Sequence, residues 1–253
     1  MATMNEMARH ASPHRDGVAL RREAAPSGFR WALTERTNTF LAAVYGWMCA
    51  GLAVTAAAAW FTASSPTLVS TILANGPVFW ALAFAQLAFV FVLSARVQQM
   101  SSTTAAMLLI AYSALTGVTL SFVLLAFTGE SIVTTFLVSG GAFAGLAIFG
   151  TTTKRSLSGM GQMLFMGLIG VVLASVAGIF WHSDALQFVL SLVGVVVFAG
   201  LTAYDAQRLT LMAREAPAEG LSFYAIVGAL ALYLDFMNLF LFLLRFTGNR
   251  RQQ

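Results

Sequence analysis

Apolar and polar positions divide this chain into seven apolar runs separated by short polar joints, at 40–63, 77–95, 104–127, 132–151, 160–181, 185–209 and 221–246. Each is close to or above the roughly 20 residues that carry an α-helix across a bilayer. None alternates as a barrel strand would, and in lipid a helix satisfies its own backbone within one segment. The joints at 128–131 and 182–184 are so short that the helices they connect must be antiparallel neighbours. The pattern therefore predicts an all-α integral membrane protein, a seven-transmembrane-helix bundle over 34–247. A disordered basic tail is expected over 1–33 and a short tail over 248–253.

Composition agrees with the bilayer reading. Hydrophobic residues make up 58% of the chain and charged residues 9%, where soluble domains carry about a quarter charged. The first thirty or so residues lack the short apolar core of a secretory signal. Net charge is +4, but the basic residues sit on a few segments, which suits membrane orientation better than nucleic-acid binding.

Those segments set the topology. Arg9, Arg15, Arg21, Arg22, Arg30 and Arg36 precede or open the first run. Arg96, the Lys154–Arg155 pair, and Arg208 with Arg214 follow the second, fourth and sixth. The alternate joints hold no Lys or Arg, only acids such as Glu130 and Asp184, read either as solvated loop charges or as cation gatherers at an entrance. The positive-inside rule then places the N-terminus in the cytoplasm. Arg245, Arg250 and Arg251 resist this, because seven crossings put them outside. A re-entrant last segment would bring them back, but its length favours a full crossing. Gly141 and Gly145 have the small-xxx-small spacing of close helix contact, expected here within the bundle.

Several chemistries find no residues. The chain has no phosphate-binding Gly-rich loop and no His-Glu-x-x-His pair. His10, His14 and His182 all lie outside the spans, and Lys154, the only lysine, lies in a joint. No span serine or threonine has an intramembrane base to activate it. The expectation is no enzyme, no cofactor and no tightly bound metal.

What the spans do contain is two aspartates. Asp205 lies near the expected cytoplasmic end of the sixth, with Arg208 one turn on as a possible latch and Tyr204 beside it. Asp235 is flanked by apolar residues for more than two turns, with Asn238 on its face and Tyr233 nearby. An intramembrane carboxylate is costly and usually functional; the bland alternative is a protonated side chain bonded to a neighbouring helix. If the two approach, they cannot both ionise cheaply, and one shares or retains a proton. At 1.5 Å per residue Asp235 is roughly 20 Å along its helix, deeper than Asp205. They meet only if the seventh helix starts below the hydrocarbon or the sixth runs on past Asp205. Gln86 is the other deep polar residue, an interhelical hydrogen bonder or a pore-lining group, and Arg96 closes its span.

The segments Gly200-Leu-Thr-Ala-Tyr-Asp-Ala-Gln-Arg-Leu209 and Ala229-Leu-Ala-Leu-Tyr-Leu-Asp-Phe-Met-Asn-Leu-Phe-Leu-Phe-Leu-Leu-Arg245 resemble the two signature segments of the Bax inhibitor-1 family. The likeness extends over all seven spans, and the tail and compact loops look bacterial. The resemblance implies a bundle whose last helix is central, and a pH-sensitive calcium leak governed by a di-aspartyl unit, here Asp205 and Asp235. It also implies an arginine near the end of the second helix that holds the closed state, for which Arg96 is the nearest match. Gln86 stands where some bacterial relatives carry a glutamate.

The function expected is thus a calcium leak channel of the cell inner membrane, with Ca2+ as permeating ion and protons as modulators. Arg96 and Arg208 are the possible latch, and Gln86, Asn238 and Tyr233 the possible pore lining. The alternative is a non-channel regulator that binds another membrane protein, such as a membrane protease.

Overall fold

The computed structural model describes residues 27–74, 76–96, 100–180, 183–216 and 220–251. Among the described residues the chain is helical: α1 (Ser27–Ala63), α2 (Pro66–Ala74), α3 (Gly76–Arg96), α4 (Ser102–Ala126), α5 (Gly129–Thr152), α6 (Ser158–Phe180), α7 (Asp184–Glu215) and α8 (Leu221–Thr247). The helix starts are written in the sequence. Ser101, Thr128 and Ser183 each accept a hydrogen bond from a backbone N–H of the first turn of α4, α5 and α7. Gly220, at φ 93°, makes the left-handed turn into α8 that a side chain would strain.

Six helices are long and apolar enough to cross a bilayer, and α2 with α3 makes a seventh if that pair, bent by 87°, counts as one span. Gly76 and Pro77 open α3 after the break, and a proline is tolerated in a first helical turn because its missing N–H would have no partner there. The expected second span therefore gains α2 as a broken preface.

Three expected boundaries change. Helix α1 begins at Ser27, inside the stretch read as tail. Nothing after Pro26 breaks a helix there, and Thr37 returns its hydroxyl to Leu33 O within the same turns. Helix α7 runs on to Glu215 rather than stopping near 209. Residues 248–251 are a strap rather than a loose tail. Thr128 N donates to Asn249 O, Arg251 N donates to Ala126 O, and Phe127 and Arg250 form an antiparallel bridge. The tail through residue 26, with His10 and His14, lies outside the described residues, as does His182.

The strap fixes the path of the last helix. It ties the end of α8 to the α4–α5 joint, while at the other end Arg36 of α1 donates to Ala216 O just before α8 begins. Helix α8 thus runs the full length of the bundle, and its two termini sit at opposite ends. It is also central, with 61% of its most apolar stretch buried against 11% for α6. Its main packing partners are α1, α4, α5 and α7, while α3 backs onto α4 and α6 onto α7. Its Leu232, Leu239 and Leu244 join Val44, Leu109 and Phe143 of its neighbours in one core.

Hydroxyls inside the spans mostly close on their own helix. Thr202, Thr210 and Ser191 each donate to the carbonyl four residues back, which satisfies these donors within an apolar layer. Gly141 and Gly145 depart from expectation. A side chain at either would meet nothing within 4 Å, because α5 turns Thr135, Ser139, Phe143 and Ala147 inward instead.

Candidate functional site

Asp205 and Asp235 meet. Their carboxyl groups lie within hydrogen-bonding reach of each other across the α7–α8 joint, and Asp235 is only 5% exposed. The extension of α7 reconciles their depths. Asp205 is about ten residues before the end of α7 and Asp235 about fourteen after the start of α8, roughly 15 Å and 21 Å along their axes.

Close packing holds the joint. Gly228 faces Leu209, and Gly150 of α5 lies against the backbone of Ala203. At both points a Cβ would meet the neighbouring helix, so glycine sets how near α7 comes to its partners. Gln207 adds a polar clamp: it accepts from Leu157 N at 2.8 Å and donates to Arg155 O at 2.9 Å. The basic α5–α6 joint is thereby fastened one turn from Asp205.

The charge state of the pair follows from its partners. Asp235 Oδ2 is buried and receives no hydrogen bond from a donor among the described residues. Asp205 is the group in reach. Two carboxylates so placed do not both carry charge cheaply, and one proton between them satisfies both. Arg208 is exposed and acts on Asp205 through its charge. It also lines, with Tyr204, Gln207, Met212, Glu215 and Tyr224, a cavity of about 560 Å³ at the N-terminal end of the bundle. That cavity is open, so solvent reaches the helix turn that carries Asp205.

The expected pore-lining residues have other engagements. Gln86 donates to Thr119 Oγ1 at 2.7 Å and to Leu115 O at 3.3 Å, fastening α3 to α4. Asn238 donates to Leu234 O of its own helix at 2.8 Å. Tyr233 is fully buried, and its hydroxyl meets Thr55 Oγ1 at 2.7 Å. Two residues before Asp235, it points to the opposite face of α8, toward α1 and α4. Arg96 ends α3 in a stretch whose side chains lie outside the described residues.

Sequence reasoning missed three participants. Arg36 and Gln207 looked like an ordinary basic flank and a motif filler, and only the fold gives them partners. The hydroxyls of Thr55, Ser113 and Thr116 gather around Tyr233. Their only signal was serine and threonine in apolar helices, which is common.

Comparison with known proteins agrees on kinship. The profile of the family described as inhibitor of apoptosis-promoting Bax1 matches residues 37–252. The inner membrane protein YbhL of Escherichia coli K12 is 49% identical over 217 residues, covering 85% of this chain and 93% of its own length. A relative from Borreliella burgdorferi is 44% identical over 216 residues, covering 85% of this chain and 93% of its own. One from Deinococcus radiodurans is 42% identical over 218 residues, covering 86% and 93%.

Proposed function

The chain belongs to the Bax inhibitor-1 family and is a multi-pass inner membrane protein, and on that premise we propose that it is a pH-sensitive calcium leak gated by Asp205 and Asp235. The observation that carries this reading is the pairing of buried Asp235 with half-buried Asp205 at the contact between the central helix and α7. With one proton between them the joint is closed and holds α8 in place. Loss of that proton sets two charges against each other. Their repulsion is on the order of 4 kcal/mol at about 4 Å and an effective dielectric near 20, enough to shift a two-state packing by orders of magnitude. Separation of α7 from α8 then opens a path for the cation past Asp235.

We place the N-terminus in the cytoplasm, on the basic residues at the N-terminal end. The open cavity beside Arg208 then lets the cytoplasmic proton activity reach Asp205. The sign follows: acid favours the shared proton and closure, and rising pH favours the leak.

The test is calcium flux into proteoliposomes across pH, comparing the wild type with Asp205→Asn and Asp235→Asn. Both variants should lose the pH response. Wild-type flux and pH response in both would remove the mechanism. A second reading, regulation through another membrane protein such as a membrane protease, is favoured by the outward, uncovered Gly141–Gly145 stripe. Co-purification of a stoichiometric partner that Gly141→Leu abolishes, with no flux from pure protein, would select it.

A further inference from the structure

The strap end of the bundle carries a site that the calcium reading does not use. A cavity of about 370 Å³ is lined there by Ser183, Asp184, Gln187, Phe188, Ser191, Arg245, Phe246 and Arg250. It brings together the start of α7, the end of α8 and the strap. Its two arginines are among the three that a positive-inside count leaves on the wrong side.

Their arrangement calls for an anion. Arg250 is near enough for its charge to act on Arg245, and among the described residues neither forms an ion pair with a carboxylate. Arg245 lies over the Phe242 ring at 5.9 Å, and the bridge to Phe127 fixes the backbone of Arg250. Both side chains are exposed at the mouth of the cavity. Asp184 shares the cavity but pairs with neither. The cup therefore offers two guanidinium groups and one separate carboxylate.

The surroundings say that the ligand has two parts. Phe188 and Phe246 meet on the rim with ring centres 5.2 Å apart and planes tilted by 42°. Below them α7 presents a lipid-facing stripe: Phe188 is 55% exposed, Val189 53%, Leu192 47% and Val196 62%. A polar cup above an uncovered apolar stripe is the shape of a site for an amphiphile.

We propose that this cavity binds a zwitterionic phospholipid of the leaflet at this end of the bundle. Arg245 and Arg250 take the phosphate and Asp184 takes a primary ammonium. Arginine suits phosphate through paired N–H donors. Asp184 requires N–H donors in return, so an ethanolamine-type headgroup fits, and a choline-type headgroup, which has none on nitrogen, does not. The acyl chains run down the α7 stripe.

Native mass spectrometry of the delipidated full-length protein tests this with phosphatidylethanolamine, phosphatidylcholine, phosphatidylglycerol and inorganic phosphate. One phosphatidylethanolamine per chain should bind about tenfold tighter than phosphatidylcholine, the size of effect expected for one charge-assisted hydrogen bond. Arg250→Gln should weaken it about tenfold; Arg250 lies outside the helices, so this variant keeps the bundle. Asp184→Asn should leave phospholipid bound while erasing the preference for ethanolamine over choline. Equal retention by Arg250→Gln and Arg245→Gln, or indifference to headgroup in the wild type, would overturn the proposal. So would inorganic phosphate displacing the lipid, which would assign the cup to a free anion.

Discussion

The two faces of α8 solve one problem differently. Toward α1 and α4, Tyr233 is buried in a neutral cluster with Thr55, Ser113 and Thr116. Toward α7, two residues further on, Asp235 is buried against another carboxyl. Both faces put polar atoms in the apolar interior, where each needs a partner. On the hydroxyl face Tyr233 and Thr55 bond to each other and Thr55 lies on Ser113 O, neutral contacts that no change of pH in the physiological range alters. The carboxyl face is satisfied only while it keeps a proton. One side of the central helix is fastened permanently, and the other conditionally.

Mutations break the comparison in order of effect. Asp235→Asn replaces the conditional fastening with a permanent amide. The ratio of calcium flux between alkaline and acid pH should collapse to about one, because proton loss no longer creates repulsion. Adding Asp205→Asn should change little more, since the two act as one unit and their effects are not additive. Gly228→Ala forces α8 off Leu209, and overpacking of this kind costs about 1–3 kcal/mol. Thermal unfolding in detergent should fall by several degrees, and the pH response should weaken as the carboxyls move apart.

Tyr233→Phe removes a hydroxyl from the permanent face. It should cost about 1 kcal/mol, a drop in melting temperature of roughly 2–4 °C, with the pH response of flux intact. A lost pH response in this variant would mean the two faces are not separable. Ser113→Ala should have the smallest effect, within about 0.5 kcal/mol, because the Ser113 hydroxyl is buried without a hydrogen-bond partner.

The same contrast explains what the sequence made legible. Helix number and class were readable because bilayer thickness sets the length of an apolar run. Asp205 and Asp235 were readable because a charge in such a run is conspicuous. Their contact was not, since it depends on α7 continuing through Leu209 to Glu215 among residues polar enough to resemble a loop. The uses of Gln86 and Tyr233 were hidden for another reason. Each can bond across helices or line a path, and only their partners, Thr119 and Thr55, decide. Gly141 and Gly145 misled because spacing reports that a face is small, while the rotation of α5 decides what it meets.

The burial of α8 also has a consequence for biogenesis. Membrane helices are handed to the bilayer in the order in which they are made, and this chain makes its most enclosed helix after the helices it packs against. Helices α1, α4, α5 and α7 therefore reach the lipid before the element they pack around exists. Until then their inward faces, Ser113 and Ser139 among them, must be sheltered by each other or by an insertion factor. Completion coincides with the strap pairing onto Phe127. A chain truncated before α8 should thus be recognised by membrane quality control as an orphan, however many of its helices have already inserted.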